Sequence, residues 1–253
     1  LAALFTEMER QGAVTRVVDF VRGAVGGMAD KGAANAIRTQ AAARLASSGE
    51  VRSAIELLQD ALGDREDDPE AIRVMIDLSR QVEDWERHVA ALKLAVLHIY
   101  TDVDERADAM LDCARISAGK LEDQAAAVHC YREVLALRPL DPTALDVLSG
   151  LLERSGDKEG LRGLWKTELD ARLALPEDQM DKSRTAWLLQ RVAESALEAG
   201  AADEVRDAVI RLASLPDLEP SSMDAACRLF KKQPEPPIFE AVSAMLTNRG
   251  DQR

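Results

Sequence analysis

Aromatic residues are scarce: four Phe, three Trp and two Tyr make up 4% of the 253 residues. Cysteine is scarcer still, with Cys113, Cys130 and Cys227 far apart and forming no CxxC pair. An odd number at such spacing excludes a disulfide framework and a cysteine-based zinc site, and it fits a reducing compartment. The three histidines do not compensate. His88 and His98 stand ten residues apart, whereas two ligands share a helix face only at a spacing of three or four. His129 and Cys130 are neighbours, and on a helix neighbours diverge by about 100°, which makes a poor catalytic dyad. No apolar run approaches the ~18 residues of a membrane span. No strand-length run of Val, Ile and Thr alternates with polar residues, so little or no sheet is expected. A phosphate-binding glycine loop is also missing, because RGAVGGMADKG (Arg22–Gly32) lacks the following Lys-Ser/Thr and reads as the loop after a helix. GxSxG is absent. Asp67-Asp68 and Glu122-Asp123 fall in loop-like stretches. No catalytic, cofactor-binding or metal-ligating set emerges, and none of these roles is expected.

Positive charge is in deficit as well. With 32 basic and 45 acidic residues the formal net charge is −13. Such a surface repels phosphate backbones and anionic lipid, so neither nucleic acid nor membrane insertion is expected. No stretch reads as a secretion signal, and a cytoplasmic location is expected. The sequence begins at Leu1 rather than Met, so further chain is expected upstream. The richness in Ala, Arg and Asp hints at a bacterial origin.

What the chain does have is alanine and periodicity. Alanine costs least in a helix and lets neighbouring helices approach closely. Gly49 is followed at five, nine and twelve residues by Ala54, Leu58 and Ala61. Gly156 is followed at the same offsets by Leu161, Trp165 and Glu168, Gly200 by Val205, Val209 and Leu212, and Gly12 by Val17, Val21 and Ala24. Glu83 stands where a turn glycine would, with His88, Leu92 and Ala95 in frame. The last position of this frame recurs at Ala24, Ala61, Ala95, Val134, Glu168 and Leu212, in steps of 37, 34, 39, 34 and 44 residues. The 39- and 44-residue steps contain polar, turn-rich stretches at Tyr100–Glu105, Ala118–Gln124 and Ala174–Ser183, and another at Arg65–Glu70 lengthens one connection. Pro69 is placed to start a helix. Before each turn, apolar residues recur at i, i+3, i+4 and i+7, as in Leu145, Leu148, Ser149 and Leu152, or Leu189, Val192, Ala193 and Ala196. Leu1, Leu4, Phe5 and Met8 repeat that spacing before Gly12.

In AAAVHCYREVLALRP, Ala127, Tyr131, Val134 and Pro139 match the A-x3-F/Y…P half of a known signature. With a repeat near 34 residues, the chain resembles the tetratricopeptide repeat (TPR) family over roughly residues 1–215. The resemblance implies an all-α, TPR-like α-solenoid, a right-handed superhelix of about five to six helical hairpins. After Pro216 the repeat fades. Met223–Lys232 and Ile238–Asn248 read as two short helices separated by QPEPP, and residues 216–253 are expected to cap the array.

The resemblance also implies a function: a scaffold that binds a partner protein or peptide in a concave groove lined by the first helix of each hairpin. An alternative is a ligand- or peptide-sensing regulatory module of a larger protein; a third is the helical part of an enzyme whose catalytic part lies elsewhere. Carrying the groove positions over gives Arg73, Asp77, Arg80 and Gln81 in one hairpin, and Asp146, Glu153 and Arg154 in another. A third hairpin contributes Trp187, Gln190, Arg191 and Glu194. The arginines suit a partner's carboxylates, since guanidinium is a planar fork of donors. The Lys/Asn pattern of TPRs that clamp chaperone C-termini is not matched.

Overall fold

The computed structural model describes residues 14–216 and 218–250. Among them are thirteen α-helices and no strand. The chain divides into two compact units, 1–137 and 138–253. The first contains α1 (Val14–Val25), α2 (Lys31–Ser47), α3 (Val51–Asp64), α4 (Pro69–Gln81), α5 (Trp85–His98), α6 (Val103–Gly119) and α7 (Gln124–Leu137). The second contains α8 (Pro142–Ser155), α9 (Lys158–Leu173), α10 (Lys182–Glu198), α11 (Ala202–Ser214), α12 (Pro220–Lys232) and α13 (Pro236–Gly250). Leu1, Leu4, Phe5, Met8 and Gly12 lie outside the described residues.

The abundant aspartate has a local purpose. Asp30, Asp68, Asp84, Asp102, Asp123, Asp141, Asp157 and Asp181 each accept a hydrogen bond from a backbone N–H in the first turn of the following helix. Each satisfies donors that the helix itself leaves free. Pro69, Pro142 and Pro220 sit at helix starts, where a missing N–H costs nothing. The stretch at Tyr100–Glu105 is shorter as a loop than expected, because the Asp102 cap starts α6 at Val103.

Helices pair as α2/α3, α4/α5 and α6/α7 in the first unit, and as α8/α9, α10/α11 and α12/α13 in the second. Gly49, Gly156 and Gly200 turn the chain at φ of 92°, 71° and 72°. Glu83 and Glu122 do the same at 57° and 56°, a left-handed conformation that strains any residue with a Cβ. After the turn the next N–H bonds back five residues. Glu50 donates to Leu45 at 2.8 Å, Asp84 to Ser79 at 2.9 Å, Asp157 to Leu152 at 3.0 Å and Ala201 to Ala196 at 2.9 Å. These are Schellman-type closures that satisfy orphan carbonyls. Asp123 reaches six residues back, to Ser117 at 2.8 Å, so the α6/α7 turn carries one extra residue.

The frame residues form the core. Ala54, Leu58, Ala61, Ala95, Ala127, Val134, Val205, Val209 and Leu212 are buried. Ala24 is an exception: it is exposed, and Val25 is buried in its stead beside Val17, Val18 and Val21. A stripe through 17, 18, 21 and 25 follows the 3.6-residue period, whereas Ala24 falls on the flank. In the first unit one apolar cluster runs from α1 to α5, through Val21, Leu45, Leu58, Met75 and Ala91. In the second, Trp165, Leu189, Val209, Leu229, Ile238 and Met245 join α9 to α13 in a single cluster. Helices α12 and α13, starting at Pro220 and Pro236, thus form a hairpin that shares the core of the helices before it. They are longer than the spans read from sequence because each starts at a proline, Pro220 and Pro236, upstream of the residues expected.

Candidate partner-binding surface

On α4 the periodicity that buries Ile72, Met75 and Ser79 leaves Arg73, Asp77 and Arg80 on the exposed side, at i, i+4 and i+7. None of the three side chains makes a hydrogen bond or ion pair with the described residues, and Gln81 is exposed beside them. In the second unit α8 buries Leu145, Leu148 and Leu152 and exposes Asp146, Glu153 and Arg154. These three also lack ion pairs with the described residues.

Helix α10 differs, because there the expected residues meet. The Gln190 side-chain amide donates to Glu194 at 2.9 Å, and Arg191 pairs with Glu194 at 3.5 Å. The Arg191 guanidinium lies 5.5 Å from the centre of the Trp187 ring and 5.7 Å from that of Trp165. The two indoles stand edge to face, 6.0 Å apart at 84°. Arg184 covers Trp187 from 4.3 Å. Cation–π attraction of this kind holds the arginines on the rings.

Behind the arginines lies a buried anchor. Glu168 of α9, 1% exposed, accepts from Arg172 at 2.8 Å and from Arg184 at 2.9 and 2.7 Å. Burial pushes its carboxyl up, but the hydrogen bonds from Arg184 and Arg172 outweigh it and hold the group below the ordinary carboxylate range. Glu168, the one charged residue among the last positions of the frame, is therefore a strut between α9 and α10.

Next to this strut is a cavity of about 210 Å³ lined by Lys158, Leu161, Trp165, Arg191, Glu194, Ser195 and Glu198. Lys158 and Glu198 pair across it at 3.0 Å. Sequence reasoning placed Trp165 only as a core position and passed over Lys158, Ser195 and Glu198. The available signal was the coincidence of two tryptophans and two arginines on consecutive helices.

Elsewhere the polar chemistry is internal. His88 is 1% exposed, with Nδ1 3.0 Å from the Ile76 carbonyl and 3.2 Å from Ser79 Oγ. Burial, and then the charge of Arg80, lowers its pKa, so it packs as a neutral ring edge-on to Trp85. His129 is exposed while the adjacent Cys130 is fully buried. Burial raises the Cys113 thiol to about 12. Asn35, Arg38 and Asp64 link α2 to α3, with Asn35 donating to the Ala61 carbonyl at 2.9 Å. Among the described residues no group of three or more His, Cys, Asp or Glu could hold a metal, and no helix is long and apolar enough to cross a membrane.

Within each unit, helical hairpins packed in chain order, with polar exposed stripes on α4, α8 and α10, give the chain an all-α, TPR-like repeat fold. No protein-family model matches the sequence, and no curated protein matches it. Among solved structures, the chain is similar to a tetratricopeptide repeat protein from Parabacteroides merdae, at 11% identity, covering 96% of both chains with a TM-score of 0.34. It is also similar to YrrB, described as a TPR protein with an unusual peptide-binding site, at 14% identity over 82% of this chain and 90% of that one, with a TM-score of 0.32. A third is a structure of Naa15/Naa10 bound to HypK-THB, at 14% identity over 99% of this chain and 41% of that one, with a TM-score of 0.43.

Proposed function

We propose that this chain is a non-catalytic, cytoplasmic interaction scaffold that holds a partner protein or peptide against the exposed faces of the first helices of its hairpins. The observation that carries this reading is the set of arginines on those faces. Arg73, Arg80 and Arg154 stand exposed and without ion pairs among the described residues, although acids outnumber bases by 45 to 32 in the whole chain. Arginines needed only for stability would pair with that surplus. Left unpaired, they keep their forked donors for carboxylates of another molecule. Asp77, Asp146, Glu153 and Gln190 would set register on the same faces, with Glu194 holding Gln190 and Arg191 in place. In this reading residues 1–215 are the binding array, and 216–253 close its apolar end, as repeat arrays require.

The test is affinity capture from native lysate, with captured proteins identified by mass spectrometry. Arg73→Glu with Arg80→Glu, and separately Arg154→Glu, should weaken capture of a specific partner about tenfold or more, at an unchanged melting temperature. Arg132→Glu, on the exposed side of α7, is the matched control. Equal capture by all variants would refute the assignment of these faces.

A further inference from the structure

The cavity between α9 and α10 has a character the charged stripes do not share. We propose that it is an anchor pocket for one large apolar side chain of an acidic partner segment, whose neighbouring carboxylate is received by Arg191. This deepens the interaction role above and rests on it.

Size comes first. At about 210 Å³ the cavity is smaller than the roughly 300–1,000 Å³ of sites that enclose a free small molecule. It suits a side chain delivered by a longer ligand. Leu161 and Trp165 give it an apolar floor, and Ser195 is small enough to leave it open.

Charge decides what accompanies that side chain. Two indoles at right angles beside Glu194 and Glu198 could suggest a cage for a cation. The rings are already engaged, however: Arg184 covers Trp187, and Arg191 lies near both. An incoming cation would meet the Arg191 guanidinium in the cavity wall and the Lys158 ammonium at its rim. An incoming carboxylate would meet Arg191 half exposed and holding one ion pair of 3.5 Å, so most of its five N–H donors remain available. Stacking has already ordered that guanidinium, which lowers the entropy lost on binding. Lys158 is the second cation at the rim. Its pair with Glu198 is solvated on both sides, with side chains 82% and 67% exposed, and such pairs contribute little and exchange readily. Trp187, 38% exposed and 6.0 Å from the lining Trp165, adds nearby aromatic surface of the kind typical of interface hot spots. The Glu168 strut holds Arg184 against Trp187 and fixes α9 to α10, so the pocket exists before the partner arrives.

The experiment is calorimetric titration of the whole chain with three capped peptides of equal length. The first is an Asp/Glu peptide with one central Phe, the second has Ala in place of that Phe, and the third has Lys in place of the acids. The acidic Phe peptide should bind about tenfold more tightly than its Ala counterpart, and the Lys peptide should not saturate. Ser195→Phe, which fills the cavity without touching a charge, and Arg191→Gln should each weaken binding about tenfold at unchanged helicity and melting temperature. Glu194→Gln should strengthen it, because it frees Arg191 and removes a like charge. If Ser195→Phe fails to fold, Arg191→Gln and Glu194→Gln, which move binding in opposite directions, carry the test. Tighter binding of the Lys peptide, equal binding of the Phe and Ala peptides, or no saturation by any peptide would overturn the pocket. If this happens while the α4 variants still lose a captured partner, the pocket alone is refuted and the scaffold role stands.

Discussion

Arg184 holds Glu168 bidentately with one edge of its guanidinium, Nε at 2.9 Å from Oε1 and Nη2 at 2.7 Å from Oε2, across the gap between α9 and α10. Arg172, one turn along α9, takes Oε1 as well, at 2.8 Å. A carboxylate at 1% exposure is tolerable only with such partners, because desolvating an unpaired charge is far costlier than the pair is favourable. Glu168→Ala should therefore destabilise the second unit by about 2–4 kcal/mol, somewhat below the value for a fully enclosed pair, since both arginines retain access to water. Urea denaturation monitored by circular dichroism measures this, and a change within experimental error would refute the strut.

The same group gives a pH dependence of definite sign. The folded-state pKa of Glu168 is lowered relative to its unfolded value, so its contribution is complete above the unfolded pKa of about 4.3. It is lost as the pH falls through the folded value, where the native carboxylate must take a proton. The stability gap between wild type and Glu168→Gln should be constant near neutrality and shrink in acid. A gap that widened on acidification would contradict the assignment.

Two kinds of residue occupy the left-handed turns, and exchanging them should act in opposite directions. Glu83→Gly relieves a strained φ of 57° and should be neutral to stabilising by up to about 1 kcal/mol, the relief being partly offset by the freer unfolded chain. Gly156→Ala imposes strain at φ of 71° and should destabilise by about 1 kcal/mol. Thermal melts of the two variants should shift to opposite sides, or only the second should shift.

Ala54, fully buried in α3, is a helix contact rather than a filler. Ala54→Leu should overpack the first unit and cost about 1–3 kcal/mol. Glu50→Gln, an exposed change at the adjacent turn, should leave the melting temperature where it is. Tolerance of the leucine would place the repeat frame out of register.

The thiols should separate by access. Cys113 and Cys130 are fully buried, and burial raises both, Cys113 to about 12. The thiolate is the reactive form, so native protein should react slowly with a thiol reagent at Cys227, which is half-buried, and not at the other two. In denaturant all three should react. Rapid native labelling of Cys113 would show that α6 opens far more easily than its packing implies.

The repeat was legible in sequence because it is local. A turn residue followed at five, nine and twelve by small or apolar side chains depends only on helix period and hairpin length, both properties of a short stretch of chain. So the turns at Gly49, Glu83, Gly156 and Gly200 stand where the frame puts them, and so do the buried faces that follow. Exposure of Arg73, Asp77 and Arg80 follows from the same arithmetic, since burying one side of α4 presents the other. What the sequence could not decide is which side chains meet across helices. Glu168 is the one charged member of its series, and only folding brings Arg184, sixteen residues away, alongside it. The frame points to Ala24, whereas the buried stripe that packs on α2 and α3 runs through Val17, Val18 and Val21 to Val25. Trp165 and Trp187, 22 positions apart in the chain, make a wall only because α9 and α10 lie side by side. Periodicity determines which face of each helix is buried; the pairing of partners on those faces depends on how neighbouring helices are set against one another, and that is a property of the folded structure.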